Sequence, residues 1–290
     1  MDGTVRRHGT AGTDLVAWRP AVAGITEVLH ARFTDHAYPL HTHDAWTLLI
    51  VDDGVIRYDI DRRERGVVQP LVALLPPDVP HDGRAATSAG FRKRVAYLGR
   101  DALDDDLIGP AVDRTELADP ALRRQVDRLH RSLGHAGDAL EAESRLVLIL
   151  DRIRWHLRRI PPGEPGPPGV AAALRDLLDE NTVAGITLRD AAEVVGTSPT
   201  HLVRAFTRRY GLPPHRYLVG RRIDLARRLL LEGIPPADTA ISTGFHDQAH
   251  LTRHFRRYLG VGPSRFQSRQ PPADHDQGAS GGAPTPPNSP

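Results

Sequence analysis

Two stretches in the last third of the chain decide the fold, because each repeats the other. Residues 191–217 read AAEVVGTSPTHLVRAFTRRYGLPPHRY, and residues 239–266 read TAISTGFHDQAHLTRHFRRYLGVGPSRF. The offset between the copies is 48 residues before a central turn and 49 residues after it. The matched pairs include Ala192 with Ala240, Gly196 with Gly244, Leu202 with Leu251, Phe206 with Phe255, and Gly211 with Gly260. This many matches in the same order indicate a duplicated structural unit.

Each copy predicts two short helices joined by a tight turn. In the first copy a helix over Leu188–Val195 is stopped by Gly196, since glycine readily adopts the left-handed conformation that ends helices. Ser198 then offers a side-chain oxygen to the free N–H groups of a second helix, which ends at Gly211. Two helices arranged in this way form a helix-turn-helix, and the second helix suits the major groove of DNA.

The second helix of each copy has one apolar face and one cationic face. In the first copy Leu202, Ala205 and Phe206 recur at helical spacing, which predicts that this face is buried. The opposite faces comprise Thr200, Val203, Arg204, Thr207 and Arg208 in the first copy, and Ala249, Thr252, Arg253, Arg256 and Arg257 in the second. Arginine can donate two hydrogen bonds to guanine, so we expect Arg204 and Arg253 to contact bases.

The distribution of charge favours a polyanionic partner for this region. Residues 170–269 hold 15 arginines and nine acidic residues, a net charge of +6, whereas residues 1–169 have a net charge of −2. Between the copies, Pro214–Glu232 predicts a helix about 27 Å long, which would set the two units roughly one DNA turn apart. The arginines of one helix could form a solvated surface, but two matching faces on a rigid spacer favour DNA.

The composition of the whole chain excludes several kinds of site. The 290 residues include no cysteine, which excludes disulfides, thiolate metal sites and thiol nucleophiles. The longest apolar runs, such as Leu146–Leu150, are far short of the roughly 20 residues that span a bilayer. The first residues lack the apolar segment of a secretory signal, so we expect a cytoplasmic protein without a membrane partner. Lys93 is the only lysine among 38 basic residues.

Two Pro/Gly-rich segments divide the chain. Residues 161–169 read PPGEPGPPG, which is typical of a semi-stiff linker, and residues 270–290 form a tail that we expect to be disordered. Residues 1–110 predict short strands, with Asp53-Gly54 as a hairpin turn. The clearest strands are Trp46–Val51, Val55–Ile60, Leu71–Leu75 and Arg92–Leu98. Short strands with turns between them are typical of a small barrel or sandwich.

Residues 111–160 predict a helical hairpin in which each helix has an apolar stripe. The stripes, which recur at steps of four and three residues, are Leu122, Val126, Leu129 and Leu133, then Leu146, Leu150, Ile153, Leu157 and Ile160. Such stripes either pack onto the barrel of the same chain or form the seam of a dimer. Of these alternatives we favour the dimer.

The second copy carries the most specific motif. Residues 244–255 read GFHDQAHLTRHF, and residues 260–263 read GVGP. Residues 170–267 resemble the DNA-binding domain of the AraC/XylS family of bacterial transcription regulators, which typically shows Gly-Phe, then Asp-Gln-Ser-x-Phe-x-Arg-x-Phe-Lys, then Gly-x-x-Pro. The departures are Ala249 for Ser, Leu251 for Phe and Arg256 for Lys. By this resemblance the groove-facing residues are Thr200, His201, Val203 and Arg204 in the first unit, and Gln248, Ala249, His250, Thr252 and Arg253 in the second.

Three histidines of the strand-rich region could hold a metal ion. His41 and His43 lie two residues apart on an extended segment, so their side chains point to the same side, and His81 follows a proline-rich corner. The pattern resembles a cupin barrel, but Thr47 stands where metal-binding cupins usually have Glu. The sensor domains of AraC/XylS regulators share these motifs and typically bind a small effector, often without metal.

We therefore expect a multi-domain protein with a cupin-like β-barrel, a helical hairpin and an all-α domain with two helix-turn-helix units. By the resemblance it is a transcription regulator that binds promoter DNA, acts as a homodimer and activates transcription through RNA polymerase. The residues expected to touch a small-molecule effector are His41, His43, Trp46, Tyr58 and His81. No cofactor is expected, and a divalent metal at the three histidines is the lesser alternative.

Two other functions remain open on the sequence. One is a metal-dependent cupin enzyme, of the dioxygenase or isomerase type, fused to a DNA-binding domain. The absence of Glu after His43 counts against it. The other is an architectural DNA-binding protein whose barrel binds nothing and whose histidines only form hydrogen bonds within the fold.

Overall fold

The computed structural model describes residues 6–10, 13–34, 37–61, 63–158 and 168–267. Within them a β-rich part is followed by an all-helical part. The predicted linker falls almost entirely in the gap before residue 168, and the predicted tail lies outside the described residues. In the described part of the chain, no helix is both long enough and apolar enough to cross a membrane.

The β-rich part forms two antiparallel sheets that share an apolar core. The strands are β1 (Arg6–Thr10), β2 (Thr13–Trp18), β3 (Ile25–Phe33), β4 (Ala37–His41), β5 (Trp46–Gly54), β6 (Ile56–Ile60), β7 (Arg63–Val67), β8 (Val72–Leu75), β9 (His81–Ala85), β10 (Phe91–Leu98) and β11 (Glu116–Leu117). The larger sheet has the order β1-β2-β3-β10-β5-β8-β11, and the smaller has β4-β9-β6-β7. Because β11 completes the larger sheet, the barrel extends past its predicted end at residue 110.

The predicted hairpin at Asp53-Gly54 is wrong. Strand β5 pairs with β10 and β8 in the larger sheet, whereas β6 pairs with β7 and β9 in the smaller sheet. The glycine is needed where the chain crosses between the sheets: Gly54 has a φ of +75°. A Cβ at Gly54 would lie 2.2 Å from the carbonyl oxygen of Gly90. The Asp-Gly pair therefore marks a crossing between sheets, which local sequence does not distinguish from a hairpin.

Two 3₁₀ turns (Arg100–Ala102 and Asp105–Leu107) and helix α1 (Ile108–Asp113) lie between β10 and β11. Helices α2 (Pro120–Leu133) and α3 (Ala139–Arg158) follow β11. Both predicted apolar stripes pack against the outer face of the larger sheet, in one core with Trp46, Leu48 and Ile50. The stripes are therefore covered within the chain and are not the predicted dimer seam. Ile160 lies outside the described residues.

The all-helical part contains both helix-turn-helix units. Its helices are α4 (Pro168–Glu180), α5 (Leu188–Val195), α6 (Pro199–Tyr210), α7 (Pro214–Leu231), α8 (Pro236–Ser242), α9 (Gln248–Leu259) and α10 (Pro263–Gln267). The first unit packs around Phe206 and the second around Phe255. The spacer helix α7 contributes Leu218 to the first core and Ile223 to the second, so it joins the two units rigidly. Tyr258, near the end of α9, is 43% exposed and does not belong to the core around Phe255.

Asp119 fixes the start of α2 and ties it to α3. Its carboxylate accepts hydrogen bonds from the backbone N–H groups of Ala121 (2.9 Å) and Leu122 (3.1 Å). It also accepts one from Arg152 Nη2 (3.0 Å) and contacts His156 Nε2 (2.7 Å). Burial alone would raise the pKa of Asp119, but the hydrogen bonds from Arg152 and His156 hold that pKa well below its usual range.

We expect Asp119→Ala to lower the free energy of unfolding by about 2 kcal/mol, because it removes a helix cap and leaves Arg152 without its partner. Urea unfolding monitored by circular dichroism measures the change. Asp176→Ala is the matched control, since Asp176 is exposed and pairs with its neighbour Arg175. Equal unfolding midpoints for the two variants would contradict the role given to Asp119.

Candidate functional sites

The three predicted histidines meet at one end of the smaller sheet. His41 ends β4, His81 begins β9, and the two residues face each other across that strand pair. The Nδ1 atom of His41 lies 2.7 Å from the carbonyl oxygen of Pro39, and that of His81 lies 2.9 Å from the carbonyl oxygen of Val79. A carbonyl oxygen only accepts, so each Nδ1 donates. Each Nε2 of this pair therefore carries a free lone pair.

This histidine cluster fits a divalent metal ion. The ring centroids of His41, His43 and His81 are 4.7 to 5.2 Å apart, and one ligand nitrogen from each lies within 4.8 Å of the others. Burial, with the neighbouring His81, lowers the pKa of His43 to about 4. The ring is therefore neutral at pH 7, as a metal ligand must be. Backbone carbonyls that hold Nδ1–H are the usual partners of metal-binding histidines.

A cavity of about 70 Å³ opens beside the histidines, between the two sheets. Tyr58 lines it as predicted, and its hydroxyl donates to Glu116. Trp46 does not line the cavity: it is fully buried on the other face of β5, and its indole N–H donates to the carbonyl oxygen of Arg100 at 3.3 Å. The neighbouring Thr47 faces the cavity instead, because successive strand residues point to opposite faces.

The cavity also contains a basic residue that no sequence motif indicated. Lys93 on β10 lines the cavity, with its ammonium 4.2 Å from the ring centroid of Tyr38 and 5.9 Å from that of Phe91. Burial lowers the pKa of Lys93 to about 8. Lys93 is the only lysine of the sequence, and this was the one signal that could have indicated its importance.

The first recognition helix, α6, begins and ends as predicted. Ser198 accepts a hydrogen bond from the N–H of His201 at 3.3 Å, and Gly211 ends the helix in the left-handed conformation. Of the predicted DNA-facing residues, Arg208 is exposed, and Thr200, His201, Arg204 and Thr207 are half-buried. Val203 is fully buried, so this residue is not accessible to DNA in this arrangement.

The second recognition helix, α9, begins where Asp247 accepts a hydrogen bond from the N–H of His250 at 2.6 Å. The exposed residues of the predicted DNA face are Gln248, Ala249, Arg256 and Arg257, while Thr252 and Arg253 are half-buried. His250 is 5% exposed and turns away from that face toward the barrel part.

Carboxylates of the hairpin contact both recognition helices, which the sequence analysis did not anticipate. Arg204 of α6 pairs with Asp151 of α3. Arg253 of α9 donates to Asp138, just before α3, at 2.7 Å. Between them, Glu143 accepts a hydrogen bond from the N–H of Leu188, the first residue of α5, at 2.8 Å. Acidic residues of the hairpin thus hold both of the arginines that we expect to contact bases.

Asp138 forms a second cluster with His250 and His254, but this cluster does not suit a metal. The Nε2 atoms of the two histidines lie 3.1 and 3.2 Å from Asp138 Oδ1. His250 Nδ1 accepts the N–H of His246 at 3.1 Å, so the proton of a neutral His250 is on Nε2, which donates to Asp138. Burial alone would raise the pKa of Asp138, but these contacts and Arg253 lower it well below its usual range. The cluster is a hydrogen-bond network around one charged carboxylate.

Two family models match the chain. An AraC-like ligand-binding domain covers residues 24–150, and a helix-turn-helix domain covers residues 191–269. The HTH-type transcriptional regulator YbfI of Bacillus subtilis is 26% identical over 225 residues, which is 74% of this chain and 81% of that protein. The virulence regulon transcriptional activator VirF of Yersinia enterocolitica is 33% identical over 93 residues, which is 32% of this chain and 34% of VirF.

Solved structures show a weaker likeness. The AraC-like transcriptional activator CuxR covers 79% of this chain at 16% identity, with a TM-score of 0.42. The two domain matches and the regulators that share them define a DNA-binding transcription regulator with a ligand-binding domain. The chain belongs to the AraC family of transcription regulators.

Proposed function

We propose that the chain reads promoter DNA with Arg204 and Arg253 and that a small molecule in the barrel cavity controls this binding. One observation carries the proposal: the two capped recognition helices present an arginine from the same position of the repeat, 49 residues apart. A separate domain supplies the cavity. The regulator would work in the cytoplasm, where promoter DNA is, and activate transcription by contact with RNA polymerase.

Selection of bound duplexes from a random DNA library by the full chain tests the promoter-binding proposal. We expect enrichment of two short sequence patches about 10 base pairs apart, since paired recognition helices read the major groove one helical turn apart. Salt-sensitive binding without any enriched sequence would favour the architectural alternative and contradict the proposal.

On the selected site, we expect Arg204→Ala and Arg253→Ala each to weaken binding by about 1–3 kcal/mol, roughly 5- to 150-fold. Each substitution removes a guanine contact and not only a phosphate contact. Fluorescence anisotropy with labelled duplex measures the change. Arg227→Ala on α7 is the control, because it removes the same charge from an exposed side chain of the same domain. An equal loss in all three variants would rule out base contacts by Arg204 and Arg253.

The homodimer now rests on the family resemblance alone, because the apolar stripes are covered within the chain. We infer that any dimer uses another surface. Light scattering at micromolar concentration, with and without the selected DNA, measures the mass. A monomer in both conditions would remove the homodimer from the proposal.

A second candidate role for the barrel is metal binding by His41, His43 and His81. The observation that favours it is the pair of Nδ1 contacts to backbone carbonyls, which leave Nε2 of His41 and His81 available in a cluster whose ligand atoms lie within 4.8 Å of one another. A cation held there by three histidines would keep an open position and could polarise a bound oxygen ligand. The enzyme alternative needs this metal, whereas the regulator does not.

We expect the purified protein to contain close to one divalent metal ion per chain if this second role is correct, measured by elemental analysis after dialysis. His43→Ala should lose the metal, because two histidines from one strand pair hold it far more weakly. His135→Ala, an exposed histidine outside the cluster, should retain it. A wild-type protein without stoichiometric metal would end both the metal role and the enzyme alternative.

A further inference from the structure

The lining of the barrel cavity combines a few charged and polar groups with many apolar side chains. The three histidines and Lys93 line it, and the charge of Lys93 helps to lower the pKa values of His43 and His81. The apolar lining residues are Leu49, Ile56, Val67, Ala73, Leu75, Phe91 and Val95, and the other polar ones are Tyr38, Thr47, Tyr58, Asp82 and Tyr97. Such a combination selects ligands with a charged or polar head and a hydrocarbon body.

Lys93 has no negative partner among the described residues. Among the residues that the structure describes, no carboxylate oxygen lies within 4.0 Å of its ammonium, and burial lowers its pKa. The rings of Tyr38, Phe33 and Phe91 surround it at 4.2 to 5.9 Å, which fixes the position of the charge without neutralising it. A buried ammonium without a counter-ion is costly, and a bound anion would offset that cost.

We propose that the cavity binds a small monocarboxylate, with its carboxylate against Lys93 and its hydrocarbon part between the two sheets. One fixed cation matches one negative charge. A dicarboxylate or phosphate would bring further negative charge into a cavity whose described lining holds no second lysine or arginine and already includes Asp82. This inference specifies the chemical class of the effector. The effect of the carboxylate on DNA binding rests on the proposed function, whereas the binding of the carboxylate to the cavity does not.

Titration calorimetry with matched pairs of probes tests this proposal. The carboxylates are acetate, propionate, isobutyrate, valerate and benzoate, and each is compared with its uncharged amide. We expect at least one carboxylate to bind the full chain at least tenfold more tightly than its amide. Lys93→Met, which keeps the length of the side chain and removes the charge, should abolish that preference.

Arg92→Met is the control, because Arg92 precedes Lys93 on β10 and its side chain is 60% exposed. It should leave carboxylate binding unchanged. Equal binding of acid and amide, no binding by any carboxylate, or unchanged binding by Lys93→Met would overturn the proposal. DNA is absent from the experiment, so failure here is distinct from failure of promoter recognition.

A separate observation carries a second inference, on the contacts between α3 and the recognition helices. We name the pairs Asp151–Arg204 and Asp138–Arg253 the acid clamp. Both arginines occupy the same position of the repeat, and each is paired with a carboxylate of the ligand-binding part. Val203, on the same face of α6, is fully buried, and α3 is in contact with α6.

We infer that the acid clamp holds the regulator in a state with low affinity for DNA. An arginine whose Nη2 is bonded to a carboxylate of the hairpin is held against that residue, and it must leave the carboxylate before it can form a bidentate contact with guanine. Asp151 and Asp138 therefore compete with DNA for the same donors. Opening requires α3 and the two recognition helices to separate, and any ligand that favours the open state raises DNA affinity.

The test measures DNA binding by Asp138→Asn/Asp151→Asn on the selected duplex, without added ligand. Asparagine keeps the volume of each side chain and removes its charge. We expect the double variant to bind at least tenfold more tightly than wild type. The matched control is Asp104→Asn/Asp106→Asn, which removes the same charge from residues that pair with Arg158 and do not touch the recognition helices.

Asp138 is 9% exposed and has three partners, so Asp151→Asn alone serves as a second variant. Asp151 is more exposed, and Arg204 is its ion-pair partner in the described chain. Asp151→Asn should bind the selected duplex more tightly than the wild type and more tightly than Asp104→Asn/Asp106→Asn. If clamp variants and control variants bind DNA equally, the acid clamp does not restrain DNA binding. Specific binding by wild type in that case leaves the proposed function intact.

Discussion

The contacts between the helical hairpin and the recognition helices depend on how α3 is packed. Leu146, Ile149 and Ile153 are buried against the larger sheet, and each such side chain contributes about 1.5–3 kcal/mol on burial. This packing fixes the rotation of α3 about its own axis. Ion pairs between partly exposed side chains contribute about 1 kcal/mol or less. The apolar face therefore determines where α3 lies. That position places Asp138 and Asp151 against the recognition helices of the all-helical part.

The helix-turn-helix units could be predicted from sequence because their boundaries are set by neighbouring residues. The side-chain oxygens of Ser198 and Asp247 cap helices by accepting hydrogen bonds from backbone N–H groups three residues ahead. Gly196 and Gly211 end helices with φ values of +70° and +74°, a conformation that costs other residues more. Each of these signals acts within one helical turn, so reading the local sequence was sufficient.

The barrel and the acid clamp could not be predicted in this way, because long-range pairing decides them. Asp53-Gly54 has the local signature of a hairpin, yet the partners of β5 are β8 and β10. Alternation along β5 separates Trp46 from Thr47, but only the packed sheets show which face lines the cavity. The clamp joins residues 53 and 115 positions apart. The single lysine was visible in the sequence, but its environment was not.

One strand connects the cavity to the hairpin. Lys93 points into the cavity. The next residue, Arg94, donates hydrogen bonds from Nη2 to Asp52 at 2.6 Å and to Asp127 of α2 at 2.8 Å. Helix α2 packs along α3, so a shift of β10 on ligand binding would act on the element that carries the clamp. A charge-assisted hydrogen bond contributes about 1.5–3 kcal/mol, whereas moving a two-state equilibrium from 1:99 to 99:1 needs about 5.5 kcal/mol. For a clamp that is closed in 99 of 100 molecules, one such hydrogen bond from a monocarboxylate to Lys93 would bias the equilibrium without opening the clamp fully. The rest of the free energy of opening would then come from DNA binding, in which the two released arginines contact the DNA.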